Sequence, residues 1–385
     1  MKRILKITFI SLGITVLSII TLIGGYVGFL LISYNRIGDM ELEVTRQSTN
    51  EVADINESYR VATYNIGFGA YSQDFTFFLD TGYDVDGNET CGYHSTARSE
   101  EEVLFNINGS ISTLKNLDLD FILLQEVDVD STRAHHVDQN AMFEKEFSDY
   151  DNSFAINFDS EFLPYPLYDM HGKSLSGLST FSNIQIQESH RKEYTIKDDI
   201  SKFFDLDRCF SVSRLAVNNE KSLYFINSHM SAYDEGGVIK KEQVKELNAV
   251  LKTLRDNGDY VIVGGDFNHD LLTNNPDFNY TFENRAFNNV LKDPDWVFNY
   301  FDENGNSPVV DGYKVVVADN VPTCRNNDVA WGSEYIYTAV VDGFIVSSNI
   351  EVLSVENIET KQGKLKVDGF AFSDHQPSVL EFKLL

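Results

Sequence analysis

Cysteine is scarce. The 385 residues hold three, Cys91, Cys209 and Cys324, too few and too far apart to frame a metal cluster or a disulfide-stapled fold. Unpaired, mostly buried thiols account for them, with one bridge and one free thiol as the alternative. Basic residues are also few. Lys2, Arg3, Lys6 and Arg36 are the only charged side chains before Asp39, so all 59 acidic residues and 27 of the 31 basic ones lie beyond them, and residues 37–385 carry a formal −32. Such a surface gains little from long-range steering of polyanions. Repeats and low-complexity tracts are missing beyond residue 58, and with 42% hydrophobic residues the stretch 59–385 reads as one domain with a sizeable core.

Charge is missing altogether from Ile7 to Asn35. Ile7–Ser33 is apolar or small almost throughout, longer than the roughly 20 residues that a membrane-spanning helix needs. A secretory signal has a shorter apolar core and a small-x-small cleavage site, whereas Gly28-Phe29-Leu30-Leu31-Ile32 runs straight on into Ser33. The segment 1–35 therefore reads as an uncleaved anchor, against a cleaved signal or a buried helix. Lys2, Arg3 and Lys6 precede it and Asp39, Glu41 and Glu43 follow it, which places the N-terminus in the cytoplasm and the rest of the chain outside. Residues 36–58 hold scattered apolar positions with no clean period, the pattern of a juxtamembrane linker.

What is present beyond that point is a series of short apolar runs rich in β-branched and aromatic residues, predicting strands at 60–66, 120–125, 176–182, 210–217, 222–228, 260–265, 342–347 and 377–384. Two helices are legible. Ser99 and Glu102 form a capping box ahead of Val103, Leu104, Ile107, Ile111, Leu114 and Leu117 at helical spacing. Val244, Leu247, Leu251 and Leu254 repeat the pattern and stop at Asn257-Gly258. Strands that outnumber helices, with helices between strand groups, predict two packed sheets flanked by helices. Two insertions stand apart. Residues 68–98, rich in Tyr, Phe and Asp, read as a substrate rim or a plain surface loop, and DVDGNE at 84–89 lacks the full spacing of a calcium loop. Residues 270–335, rich in Asn and Asp, hold Trp296 and Trp331.

Six of the apolar runs end in polar residues. Glu126 closes FILLQE, where a carboxylate at a strand tip suits Mg²⁺, although alone it is as well explained as a solvated strand end. Asp266 and Asn268 in GGDFNHD, two apart on an extended segment, share a face. A carboxylate there can orient or deprotonate a water while the amide donates to a phosphate oxygen; alone, the motif also fits an Asx-rich turn. His229 follows a strand in NSH, and Asp374-His375 precedes the last one. An imidazole can relay a proton or stabilise a pentavalent phosphorane if a carboxylate fixes its tautomer, and Asp342 is the candidate for that. Arg98, Arg133, Lys173 and Arg214 are weak candidates for substrate contacts, each also explained as a solvated charge. The remaining histidines, among them His171 and His269, read as surface or loop residues.

In order, TYNI around Asn65, LLQEVD, NSHMSAYD, GGDFNHD, DGFIVS and SDHQP resemble the endonuclease/exonuclease/phosphatase superfamily over essentially all of 59–385. The resemblance implies a DNase I-like, four-layered α/β/β/α sandwich with its site at one end of the two sheets. It also implies Asn65, Glu126 and Asp374 around a divalent metal, Mg²⁺ with Mn²⁺ as the alternative, and His229 on the scissile phosphate. Asp266 would position the attacking water, Asn268 would hold a phosphate oxygen, and His375, oriented by Asp342, would be general base or transition-state stabiliser. SGLSTFS at 176–182 resembles the family's strand between the Glu and His motifs, whereas the insertions match no subfamily pattern. The expectation is a membrane-anchored hydrolase of phosphomonoesters or phosphodiesters, with a lipid headgroup, sugar phosphate or nucleotide as substrate. A deoxyribonuclease-like activity is the alternative, and an inactive binding module on the same fold is the alternative of another class.

Overall fold

The computed structural model describes residues 2–34, 36–84, 86–203, 205–232, 234–278 and 298–385; Trp296 and the rest of 279–297 in the second insertion lie outside them. Two units divide the chain. Met1–Arg36 contains one helix, Lys2–Ser33, of which Arg3–Ser33 is long and apolar enough to cross a membrane. Ile37–Leu385 is the second unit.

Among the described residues, the second unit is built on two seven-stranded sheets. The first runs, in spatial order, Met40–Glu41, Ile186–Glu193, Cys209–Ala216, Ser222–His229, Tyr260–Asp266, Asp342–Ser347 and Tyr313–Val316. The second runs Ile350–Asn357, Ser378–Leu384, Ser58–Asn65, Phe121–Asp128, Gly172–Ser182, Asp151–Leu163 and Val44–Thr45. Each holds one parallel pair, Ser58–Asn65 with Phe121–Asp128 and Ser222–His229 with Tyr260–Asp266. Parallel neighbours need a crossover long enough to return the chain, and the two helices legible in the sequence, Glu100–Lys115 and Val238–Asn257, supply it. Ser99 caps the first by accepting from the Glu102 N–H, as the capping pattern predicts. Gly258, at φ +74°, ends the second.

The core lies between the sheets, where Val61, Phe121, Leu123 and Leu380 meet Phe225, Ile262, Phe344 and Val346. Val244, Leu247, Leu251 and Leu254 cover the outer face of the first sheet at Ile226, Val261 and Val263. Against the second sheet, Ser110 donates to the Tyr64 hydroxyl, and Phe143 of the short helix Gln139–Glu146 lies against Phe181. The order helix, sheet, sheet, helix is the four-layered sandwich expected. Residues 36–58, expected as a linker, instead contribute an edge strand to each sheet, with Met40 opposite Arg191 and Val44 opposite Ser153. Short segments whose partners lie over a hundred residues away show no period of their own, which is why they read as loop.

Parallel strands share a direction, and the hydrogen bond from Asn65 to Asp266 across the sheets puts the C-terminal residues of both pairs at one end of the sandwich. Asn65 pairs with Gln125, beside Glu126, and His229 pairs with Asp266. Asp342 opens an antiparallel strand in register with Asp266.

Candidate active site

Strand register alone sets His229, Asp266 and Asp342 side by side across three neighbouring strands, all buried. Asp266 is central. Its Oδ2 accepts a hydrogen bond from Asn65 Nδ2 of the opposite sheet at 3.1 Å and lies 3.5 Å from His229 Nε2 and 3.7 Å from His375 Nε2. Its Oδ1 accepts the Asn268 N–H at 2.9 Å. His375 Nδ1 lies 2.8 Å from Asp342 Oδ2, and Asp342 is fixed in turn by its N–H on Thr323 Oγ1 at 3.1 Å. Burial works to depress the His375 pKa, but Asp342, Cys324 and Asp266 outweigh it and raise it well above the usual histidine range. The imidazole is thus held as a cation with Nε2 toward Asp266.

Across from this line sits a second group. Glu126 occupies a β-bulge between Leu124 and Val127 at φ +57°. A bulge re-aims a side chain that a regular ladder would point elsewhere. Among the described residues no hydrogen-bond donor serves the Glu126 carboxylate; His229 Nε2, at 3.8 Å, faces it. Burial and then the charge of Asp374 push its pKa up to about 8. Asp374 Oδ2 accepts Asn327 Nδ2 at 2.7 Å, and its Oδ1 accepts Ser373 Oγ at 3.2 Å. Gly67, at φ +56°, closes the wall, for a Cβ there would meet Asp374 Oδ1 at 2.9 Å. Two carboxylates that repel each other in a largely buried pocket, near the Asn65 amide, form an oxygen donor set suited to a hard divalent cation. Acceptor atoms of Asp266, Asp342 and His375 also lie within 4.8 Å of one another. The hydrogen bond between His375 and Asp342 makes that trio a proton-holding line.

All eight residues expected at the catalytic and metal positions therefore converge at one end of the sandwich. Asn268, at φ +50°, spends Nδ2 on the Met230 carbonyl at 2.9 Å. The arginines suggested as substrate contacts have carboxylate partners instead. Arg98 binds Asp74 and Glu102, and Arg133 holds Asp128 through two bonds of 3.0 and 2.9 Å under the Phe68 ring. Arg214, on Glu188, lies opposite Tyr224, five positions down the strand from the level of His229. Lys173 pairs with Asp130. His171 and His269, expected in loops, are buried. The three cysteines are free, Cys209 and Cys324 buried and Cys91 exposed.

Three site residues escaped the sequence reading. Arg208 NH1 lies 2.6 Å from His229 Nε2 and donates to the Met230 carbonyl at 2.9 Å. A guanidinium only donates, so Nε2 accepts and His229 is neutral with its proton on Nδ1; burial and then Arg208 hold its pKa well below the ordinary value. Lys240 donates to the Asn268 carbonyl and lies 4.9 Å over the Phe298 ring. Burial lowers its pKa to about 7 against the pull of Asp266 and Asp234. Asn327 is the third, through Asp374. Arg208 precedes a strand as an ordinary flanking cation, and only the pairing of Cys209 with His229 reveals it.

The sequence profile of the Endonuclease/Exonuclease/phosphatase family matches residues 103–375, more than two thirds of the chain. The chain belongs to that family. No curated protein sequence matches it. Among solved structures, ANGEL2, a 2′,3′-cyclic phosphatase in complex with adenosine-2′,3′-vanadate, aligns with a TM-score of 0.52 at 16% identity, covering 90% of this chain and 99% of its own. The human Nocturnin catalytic domain with bound sulfate anion gives 0.49 at 14% identity over 89% and 97%. TDP2 from Caenorhabditis elegans gives 0.49 at 12% over 85% and 75%. The ANGEL2 likeness extends to the fold.

Proposed function

We propose that this chain is a divalent-metal-dependent phosphoesterase, anchored by its N-terminal helix, with the catalytic unit outside the cytoplasmic membrane. The observation that carries the reading is the buried line Asp342–His375–Asp266 facing the Glu126 and Asp374 carboxylates across one pocket. Family membership and the oxygen donor set support it. Asn65, Glu126 and Asp374 would hold the metal, taken as Mg²⁺, whose contribution when bound is to neutralise charge on a phosphate oxygen. Asp266 Oδ2 is placed to accept a proton from a water as its oxygen forms a bond to phosphorus and the bond to the leaving oxygen breaks. His375, cationic and locked by Asp342 in one orientation, presents Nε2 to the charge that develops on the phosphoryl oxygens. Arg208, held against the neutral His229, adds positive charge on the same side.

A soluble phosphoester, a lipid headgroup and a nucleotide all fit such a centre. A nuclease is disfavoured by the −32 of the unit and by the carboxylate partners of Arg98, Arg133 and Arg214. The test is turnover of a chromogenic phosphodiester by the purified full chain in detergent. We expect Mg²⁺-dependent hydrolysis that chelation and Asp266→Asn both abolish. Absence of turnover across a panel of monoesters and diesters would favour an inactive binding module, and turnover indifferent to chelation would remove the metal from the mechanism. The membrane topology follows the flanking charges, and a reporter active only outside the cell, fused after Leu385, should give signal.

A further inference from the structure

The strand Asp151–Leu163 and its partner Gly172–Ser182 form a hairpin whose last pair is Leu163 with Gly172. Along the inner strand, Ser179 lies opposite Leu124 and Ser176 opposite Asp128. The turn at 164–171 therefore lies past the level of Glu126, at the end of the sandwich that carries the site. It is apolar and exposed: Leu167 is 76% exposed, Tyr165 and Tyr168 are each 58%, and Phe162 and Met170 stand open beside them. Tyr93 from the first insertion, 59% exposed, stacks on Tyr168 at 4.8 Å and accepts the Tyr168 hydroxyl on its carbonyl. The acid within the turn faces inward, since Asp169 accepts from the backbone of Ser95 and Thr96 and from Thr96 Oγ1. Single exposed apolar residues are ordinary, but a contiguous, braced set marks a contact surface.

The point where the chain enters the sandwich lies at the same end. Met40 pairs with Arg191, and Asp39 accepts the N–H of Glu193. Glu193 pairs with Cys209, which pairs with His229. Three residues, 34–36, separate the end of the apolar helix at Ser33 from Ile37, a covalent reach of no more than about 14 Å.

We propose that the hairpin turn 162–170, with Tyr93, docks on the bilayer that the N-terminal helix crosses, and that the substrate is a lipid phosphoester drawn from that surface. This rests on the phosphoesterase reading of the adjoining site. Tyrosines with apolar bodies and polar tips suit the headgroup level, and an acidic unit requires apolar rather than electrostatic attachment. Tethering also makes weak docking sufficient, because the surface is always at high effective concentration.

The test reconstitutes the full chain in dioleoylphosphatidylcholine vesicles with and without acyl-brominated phosphatidylcholine, carrying Leu167→Trp, with Tyr165→Trp as an independent second probe and Leu353→Trp, on an exposed sheet edge, as control. Brominated chains should quench at least half of the emission added at 167 or 165 and leave that at 353 unchanged. Equal, unquenched emission at all three, in protein that still hydrolyses a soluble diester, overturns the docking and leaves the phosphoesterase reading intact. Quenching in protein that hydrolyses no phosphoester upholds the docking and sinks that reading. Emission at 167 that responds to a single-stranded oligonucleotide and not to lipid overturns the proposal in favour of a nucleic-acid surface.

Discussion

The two halves of the pocket are built in different ways. His229, Asp266 and Asp342 come from three adjacent strands of one sheet, and their spacing is set by ladder hydrogen bonds. Glu126, Asp374 and Asn65 come from a bulge, a loop and a strand tip of the other side, and both Glu126 and the neighbouring Gly67 sit at positive φ. A ladder tolerates little displacement, which suits groups that must keep proton-transfer distances. Bulges and loops are less constrained than a ladder, which fits the proposal that this side holds a cation.

The sharpest way to break the comparison is at its seam, where His375, next to Asp374 on the same loop, is held by the laddered Asp342. His375→Ala should lower kcat/KM by roughly 10²–10⁴-fold, the range for a positioned acid–base group. Asp342→Asn should cost nearly as much, and the double variant little more than the worse single, because Asp342 acts by holding the imidazole. Multiplicative losses in kcat/KM would mean that Asp342 serves the metal or the fold instead. The adjustable half separates by degree. Glu126→Ala should remove Mg²⁺ dependence together with activity and raise rather than lower the thermal midpoint of the metal-free protein, since burial and Asp374 disfavour the carboxylate in the fold. Asn327→Ala should weaken metal affinity by only about 10–100-fold, as expected for a residue that orients a ligand, measured by Mg²⁺ titration of activity. Equal losses at the two positions would erase the distinction between ligand and support.

The smallest effect lies outside the pocket. His171 and His269 are pushed down to about 3 by burial, while an unfolded chain protonates them near 6.5. Below about pH 6.5 the unfolded state gains protons that the folded state refuses, so stability is intact above that pH and falls as pH drops toward 3. Each histidine contributes up to about 1.4 kcal/mol per pH unit. His171→Gln should flatten the slope of the urea midpoint against pH between 6 and 4; an unchanged slope would mean that the ring titrates freely when folded.

How much of this was legible in sequence follows from the same contrast. The eight expected strands all form, because a strand buried on both faces is an apolar run that announces itself. Asp151–Leu163, DNSFAINFDSEFL, did not, since its polar positions are satisfied across the sheet rather than by any local pattern. The eight polar residues at the ends of apolar runs were visible because strand ends in sandwiches meet. Arg208, Lys240 and Asn327 were not, because their meaning lies in pairings made across 21, 28 and 47 positions. The segment 36–58 read as a tether for the same reason.

The strand Ser378–Leu384 is not at an edge; it lies between Ile350–Asn357 and Ser58–Asn65. During synthesis Ser58–Asn65, on one side of its slot, emerges long before it does, while Ile350–Asn357, Asp374 and His375 come shortly ahead of it. The second sheet and the pocket therefore both wait for the stretch from Asp374 to Leu384, and a product interrupted before it keeps an open slot along Ser58–Asn65. The pocket is thus closed by residues made more than three hundred positions after the apolar helix Lys2–Ser33.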